Sequence, residues 1–186
     1  MPARWRDADA AIYSRGMTAS LPPLPDEADD PTLQAFYRYW RDRAPPGRLP
    51  GRQHIDPLDI PELLPQLILL DVMPQGEALR FRVRLAGGAM VEIIGANPTG
   101  RFIDEFVVES RREALNAAYA SVVRARAAHY WENQLWTAGR DYIRIRRLAL
   151  PLARDGATVD MIVACYVRAE LPPDLSPPAD DANPLG

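Results

Sequence analysis

Lysine is absent: all 22 basic residues of this 186-residue chain are arginine. Codon bias in a GC-rich genome explains this most simply. The functional alternative is selection of guanidinium forks for carboxylate or phosphate contacts. Cysteine occurs once, at Cys165, which excludes an internal disulfide framework and any multi-cysteine zinc or iron–sulfur site. Histidine occurs twice, at His54 and His129, and its spacing to Cys165 supports no hydrolytic triad. No apolar run approaches the ~20 residues that a membrane-spanning helix needs. The N-terminus carries Arg4, Arg6, Asp7 and Asp9 in place of a signal-type apolar core, so a reducing cytoplasm is the expected location. No glycine pattern matches a P-loop or dinucleotide fingerprint.

What is present is unevenly placed. The net charge of -3 conceals two acidic, proline-rich ends and a basic middle. Residues 1–31 carry net -3, residues 171–186 net -3, and residues 32–170 net +3. The expected organisation is an acidic Pro-rich extension over 1–31, a folded domain over 32–170 and a flexible acidic tail over 171–186. Trp5 and Ile12, seven apart, suit a short helix within the extension.

Leu33, Phe36, Tyr37 and Trp40 fall at i, i+3, i+4 and i+7, the apolar face of a helix. Asp30, Pro31 and Thr32 supply its start. Asp56 before Pro57 predicts a second, short helix that Pro65 closes. Residues 67–73 read as a buried strand, and Pro74, Gln75 and Gly76 as a turn. Residues 79–85 alternate: Leu79, Phe81, Val83 and Leu85 face one way, Arg80, Arg82 and Arg84 the other. A short helix over 89–94 ends at Gly95. The longest helix is predicted over 110–127, with Ser110 and Glu113 as a capping box. Three strands follow, over 129–136, 141–151 and 157–167. Apolar phase flips between Ile145 and Leu148, which predicts a bulge near Arg146 and Arg147. The class is therefore α+β: a five-stranded antiparallel sheet with helices on one face and an N-terminal helical extension.

A set of motifs appears in a specific order. Tyr39-Trp40 ends the first helix; Ile55-Asp56-Pro57, Leu70-Asp71-Val72 and Phe81-Arg82-Val83-Arg84-Leu85-Ala86-Gly87 follow. Gly95, Pro98-Thr99-Gly100-Arg101, Leu150-Pro151-Leu152, Asp155-Gly156 and Val159-Asp160 complete it. Over about 30 to 170 this resembles a bacterial PAS-like domain family, formerly a domain of unknown function. The resemblance implies the PAS fold and a sensory or interaction role, and brings no catalytic residues. It raises two cofactors to test. A flavin photoadduct needs a reactive cysteine on the helical side, whereas Cys165 lies in the last strand. Haem needs an axial histidine, and His129 falls just beyond the long helix. The residues argue against both, and the cofactor is left unknown. No metal site is expected.

The favoured function is a stand-alone PAS-like sensory or regulatory module in bacterial signalling. It would bind a small ligand, a protein partner or a second copy of itself, with no membrane segment. Candidate cavity walls are Phe81, Val83, Met90, Ile94, Phe102, Tyr119, Tyr130, Trp136 and Cys165, with Asn133 or Gln134 to orient a ligand; a fully packed core is the simpler expectation. Arg80, Arg82 and Arg84 on one strand and Arg144 and Arg146 on another form two rows. The alternative function is therefore polyanion or nucleic-acid binding by an Arg-rich sheet face. Cross-strand acids such as Asp71, Glu132 and Asp160 would instead make that face a set of ion pairs, so nucleic acid is the less favoured partner. Trp5, Trp40 or Trp131 would serve as anchors if the face dimerises. A second alternative is a small cavity enzyme of α+β type. The acids Asp104 and Glu105 fit a salt bridge with Arg101 better than acid–base catalysis. His54, in a basic loop before a cap, fits a structural role.

Overall fold

The computed structural model describes residues 21, 23–26, 28–134 and 143–169. The predicted helix around Trp5 and Ile12, Trp136 and the acidic C-terminal tail lie outside the described residues. Helix α1 spans Pro31–Asp42. The Asp30 carboxylate accepts from the Thr32 and Leu33 amides, and Pro31 sits where a missing N–H costs nothing. Its buried residues are Leu33, Phe36, Tyr37 and Trp40, the stripe read from the periodicity.

A connection then passes through 3-10 turns at Arg52–His54, Pro57–Asp59 and Leu64–Gln66. Asp56 caps the second of these by accepting from the Leu58 amide. The expected short helix is thus a pair of 3-10 turns, because Pro61 and Pro65 remove the amides that a continuous α-helix would use. Strands β1 (Leu67–Gln75) and β2 (Ala78–Ala86) form a hairpin. Pro74 and Gln75 belong to β1, and the turn falls at Gly76, whose φ of +62° suits glycine. Helix α2 (Gly88–Ile94) stops at Gly95. Helix α3 (Glu109–Ala125) follows, then β3 (His129–Gln134), β4 (Arg144–Leu152) and β5 (Met161–Arg168). The residue before α3 is Val108, so Ser110 lies inside the helix and the expected capping box does not form.

The sheet is fully antiparallel, with order β2-β1-β5-β4-β3. Pairing along β4 is continuous with both neighbours, so the bulge expected near Arg146 and Arg147 is absent. The phase flip has another cause. Ile145, Arg147 and Ala149 face α2 and α3, while Leu148, Leu150 and Leu152 face α1, and all six are buried. Arg147 interrupts the apolar alternation because it is charged, yet it takes an inward-facing position. The actual register shift lies between Leu69 and Leu70 opposite β2. It turns Leu85 out of phase with Val83 and leaves it 51% exposed.

Helix α1 packs on β4 and β5 on the sheet face opposite α2 and α3. Trp40 is fully buried there, and its indole N–H donates to the Pro151 carbonyl at 2.9 Å. Four buried side chains at about 2 kcal/mol each make this face a major source of stability. The junction between β2 and α2 is set by Gly87, where a Cβ would lie 2.1 Å from the Leu64 carbonyl oxygen. Only glycine permits that approach, which brings α2 against the turn before β1.

Candidate functional site

On the helical face of the sheet lies a cavity of about 50 Å³. The sheet supplies Ile68, Leu70, Ile145, Arg147, Tyr166 and Trp131. Met90 and Ile94 come from α2, Leu115 and Tyr119 from α3, and Ile103, Phe106 and Val107 from the segment between them. Phe106, Leu115 and Trp131 are half-buried; the other wall residues are buried. Apart from one cluster, the walls are apolar or aromatic.

That cluster centres on Arg147, which is 2% exposed. Buried arginines are ordinarily paired with an acid. Among the described residues no carboxylate is ion-paired with Arg147, and its Nε has no hydrogen-bond partner. The guanidinium carbon instead lies 4.4 Å from the Tyr119 ring centre and 5.4 Å from that of Trp131. These aromatic faces offset part of the charge. Nη2 approaches His129 Nδ1 at 3.4 Å, and the hydroxyls of Tyr166 and Tyr119 also interact with the cation. Tyr119 and Tyr166 hydrogen-bond each other through their hydroxyls.

Protonation states follow from burial. Desolvation, together with the charge of Arg147, lowers the His129 pKa to about 4, so its ring is neutral at pH 7. With the proton on Nε2, Nδ1 accepts from Arg147. Burial pushes Tyr166 well above the usual tyrosine range, with Tyr119 adding to the effect and Arg147 opposing it. The cavity therefore holds one permanent cation among neutral groups.

Of the candidate wall residues, Met90, Ile94 and Tyr119 line the cavity. Phe81 and Val83 are fully buried in the core beside it, with Phe81 and Tyr119 ring centres 5.4 Å apart. Phe102 lies under the Arg80 guanidinium, 3.8 Å from its ring centre. Tyr130 and Cys165 fall on the opposite face, because their pairing partner Leu148 faces α1. Tyr130 there donates to Glu132, and burial together with the Asp30 charge raises the Cys165 pKa to about 12. Asn133 is exposed; the side chain of Gln134 lies outside the described residues. His54 closes a 3-10 turn by accepting from the Gly51 amide. Arg147, Tyr166 and Trp131 escaped the pattern as cavity walls. Its one usable signal was an arginine inside the otherwise apolar core of β4.

The five strand arginines are engaged by acids. Arg80 grips Asp104 at 2.7 and 3.0 Å. Arg82 and Arg84 share Asp71 at 3.1 and 2.7 Å. Arg144 and Arg146 share Glu132 at 3.1 Å each, and Arg146 also reaches Asp30 at 3.7 Å. Arg101 faces Glu105 at 3.5 Å. Arg80 also stacks on Phe102, and Arg146 neighbours the start of α1, so the rows do not form an open cationic plane.

No curated protein matches the chain. Solved structures similar to it include a sensory box histidine kinase/response regulator from Burkholderia thailandensis, at 16% identity and a TM-score of 0.37, covering 61% of this chain and 84% of that one. A domain of a putative light and redox sensing histidine kinase from Haloarcula marismortui has 12% identity and a TM-score of 0.42, covering 61% and 97%. A PAS domain from Colwellia psychrerythraea has 12% identity and a TM-score of 0.43, covering 61% and 98%. The sequence profile of the PAS-domain family matches residues 28–167, which takes in α1, β1 to β4 and all but the last residue of β5. The chain belongs to the PAS-domain family.

Proposed function

We propose that this PAS domain is a sensory or regulatory module that binds a small ligand in the cavity between the sheet and helices α2 and α3. Binding there would be read out by a protein partner or a second copy of the chain. The observation that supports this most is the cavity itself, walled by apolar side chains around a buried guanidinium. PAS domains are typical of sensory signalling in bacteria and are sensory rather than catalytic modules. A water-sized sphere needs roughly 10–15 Å³ of such space, so about 50 Å³ accepts a ligand of only a few heavy atoms. Flavin and haem are far larger than this. Cys165 lies across the sheet from the cavity, so a ligand there would not meet its sulfur. The paired state of the strand arginines gives no support to the polyanion alternative.

Native mass spectrometry of freshly purified protein tests the proposal. It predicts a small non-covalent adduct that is lost on denaturation, and the same spectrum reports the oligomeric state. A bare polypeptide mass, together with no thermal stabilisation by any member of a broad panel of small metabolites, would refute ligand sensing.

A further inference from the structure

We propose that the cavity takes a small carboxylate, its two oxygens held by the Arg147 guanidinium and its short apolar end packed against Met90, Ile94 and Val107. This rests on the cavity being the ligand site and specifies the ligand's charge and size.

The donor and acceptor inventory carries the inference. Arg147 brings five N–H donors and no acceptor. Nearby acceptors are His129 Nδ1 and the two tyrosine oxygens, which also serve each other. Two phenols hold two O–H donors, and their mutual hydrogen bond uses only one of them. The cluster therefore has an excess of donors, and Nε of a nearly fully buried guanidinium is left with no partner. A buried cation lacking its counter-charge is costly, and aromatic faces offset only part of that cost. A carboxylate provides both the negative charge and two acceptor oxygens, and arginine's planar fork matches it in a bidentate pair.

Size and wall chemistry narrow the class. With about 50 Å³ available, the ligand has roughly three to five heavy atoms. Phosphate and sulfate present polar oxygens in every direction, and the walls beyond the cluster offer them no donors. Ile68, Leu70 and Ile103 instead suit one or two methyl or methylene groups. A short-chain monocarboxylate has this shape.

Calorimetry and thermal melting with acetate and propionate provide the test, set against acetamide, propionamide and matched sodium chloride. At least one carboxylate is expected to bind and to raise the melting temperature, with its isosteric amide weaker by at least about tenfold. Arg147→Met keeps the volume, removes the charge and should abolish that preference while the far-UV spectrum is unchanged. The wild-type comparison between acid and amide stands by itself if Arg147→Met does not fold. Equal binding of acid and amide would overturn the carboxylate assignment while leaving a ligand cavity intact. Carboxylates no better than chloride would overturn it too, and a neutral co-purified species would then preserve the sensory proposal alone.

Discussion

Residues with hidden partners set the behaviour of the cavity. His129 ionises with a pKa of about 4 in the fold, against 6.5 for an ordinary solvated histidine, because it is desolvated beside Arg147. The unfolded chain therefore binds a proton between these values that the folded chain rejects. His129 contributes stability that is complete above about pH 6.5 and is lost as pH falls through about 4. The loss is at most about 3.5 kcal/mol from this residue, at about 1.4 kcal/mol per pH unit. Urea unfolding at pH 7 and at pH 5 should show a drop in wild type that His129→Gln reduces. Equal drops in the two proteins would remove His129 from the explanation. The same residues show why the site was only partly legible. A charged residue in an apolar strand reads as an outward position or a bulge, and the polar label of Arg147 concealed its inward direction. Tyr130 and Cys165 were assigned to the cavity because alternation distinguishes two faces without naming the helix that covers each.

At the scale of elements, the first helix was the most readable, since its period, its Asp30 cap and its Pro31 start all agree. Its place was not readable: nothing in the stripe says which sheet face it covers. The β2 alternation was equally clear up to Val83. The register shift opposite Leu69 and Leu70 was silent, because an all-apolar strand carries no phase to interrupt. Packing of α1 has a direct consequence. Trp40→Ala removes a fully buried indole and its hydrogen bond to Pro151, and should cost about 3–5 kcal/mol in urea unfolding. Arg41→Ala on the same helix breaks only an exposed contact with Asp42 and should cost under about 0.5 kcal/mol. Similar losses for the two variants would mean that α1 is not docked through Trp40. A backbone contact makes the second element-scale prediction. Gly87→Ala forces a Cβ against the Leu64 and Pro65 carbonyl oxygens and should lower the melting temperature markedly, whereas Gly88→Ala, with open space around it, should not.

For the whole molecule, charge placement and fold agree. The chain's formal charge is -3, and the five strand arginines of the central domain are each engaged by Asp71, Asp104 or Glu132. The protein is therefore expected to pass through heparin resin at low salt; retention with a steep salt dependence would restore the polyanion alternative. The central domain is a sheet covered on both faces, by α1 on one and by α2 and α3 on the other, with the cavity on the second face. Ligand binding at that cavity is tested by a cavity-filling substitution. The measurement is the ligand-induced rise in melting temperature, taken with short-chain carboxylates and their amides on wild type and on Val107→Phe. A rise is expected in wild type and none in Val107→Phe, with both proteins folded by circular dichroism. An equal rise in both proteins would place binding elsewhere and contradict that expectation.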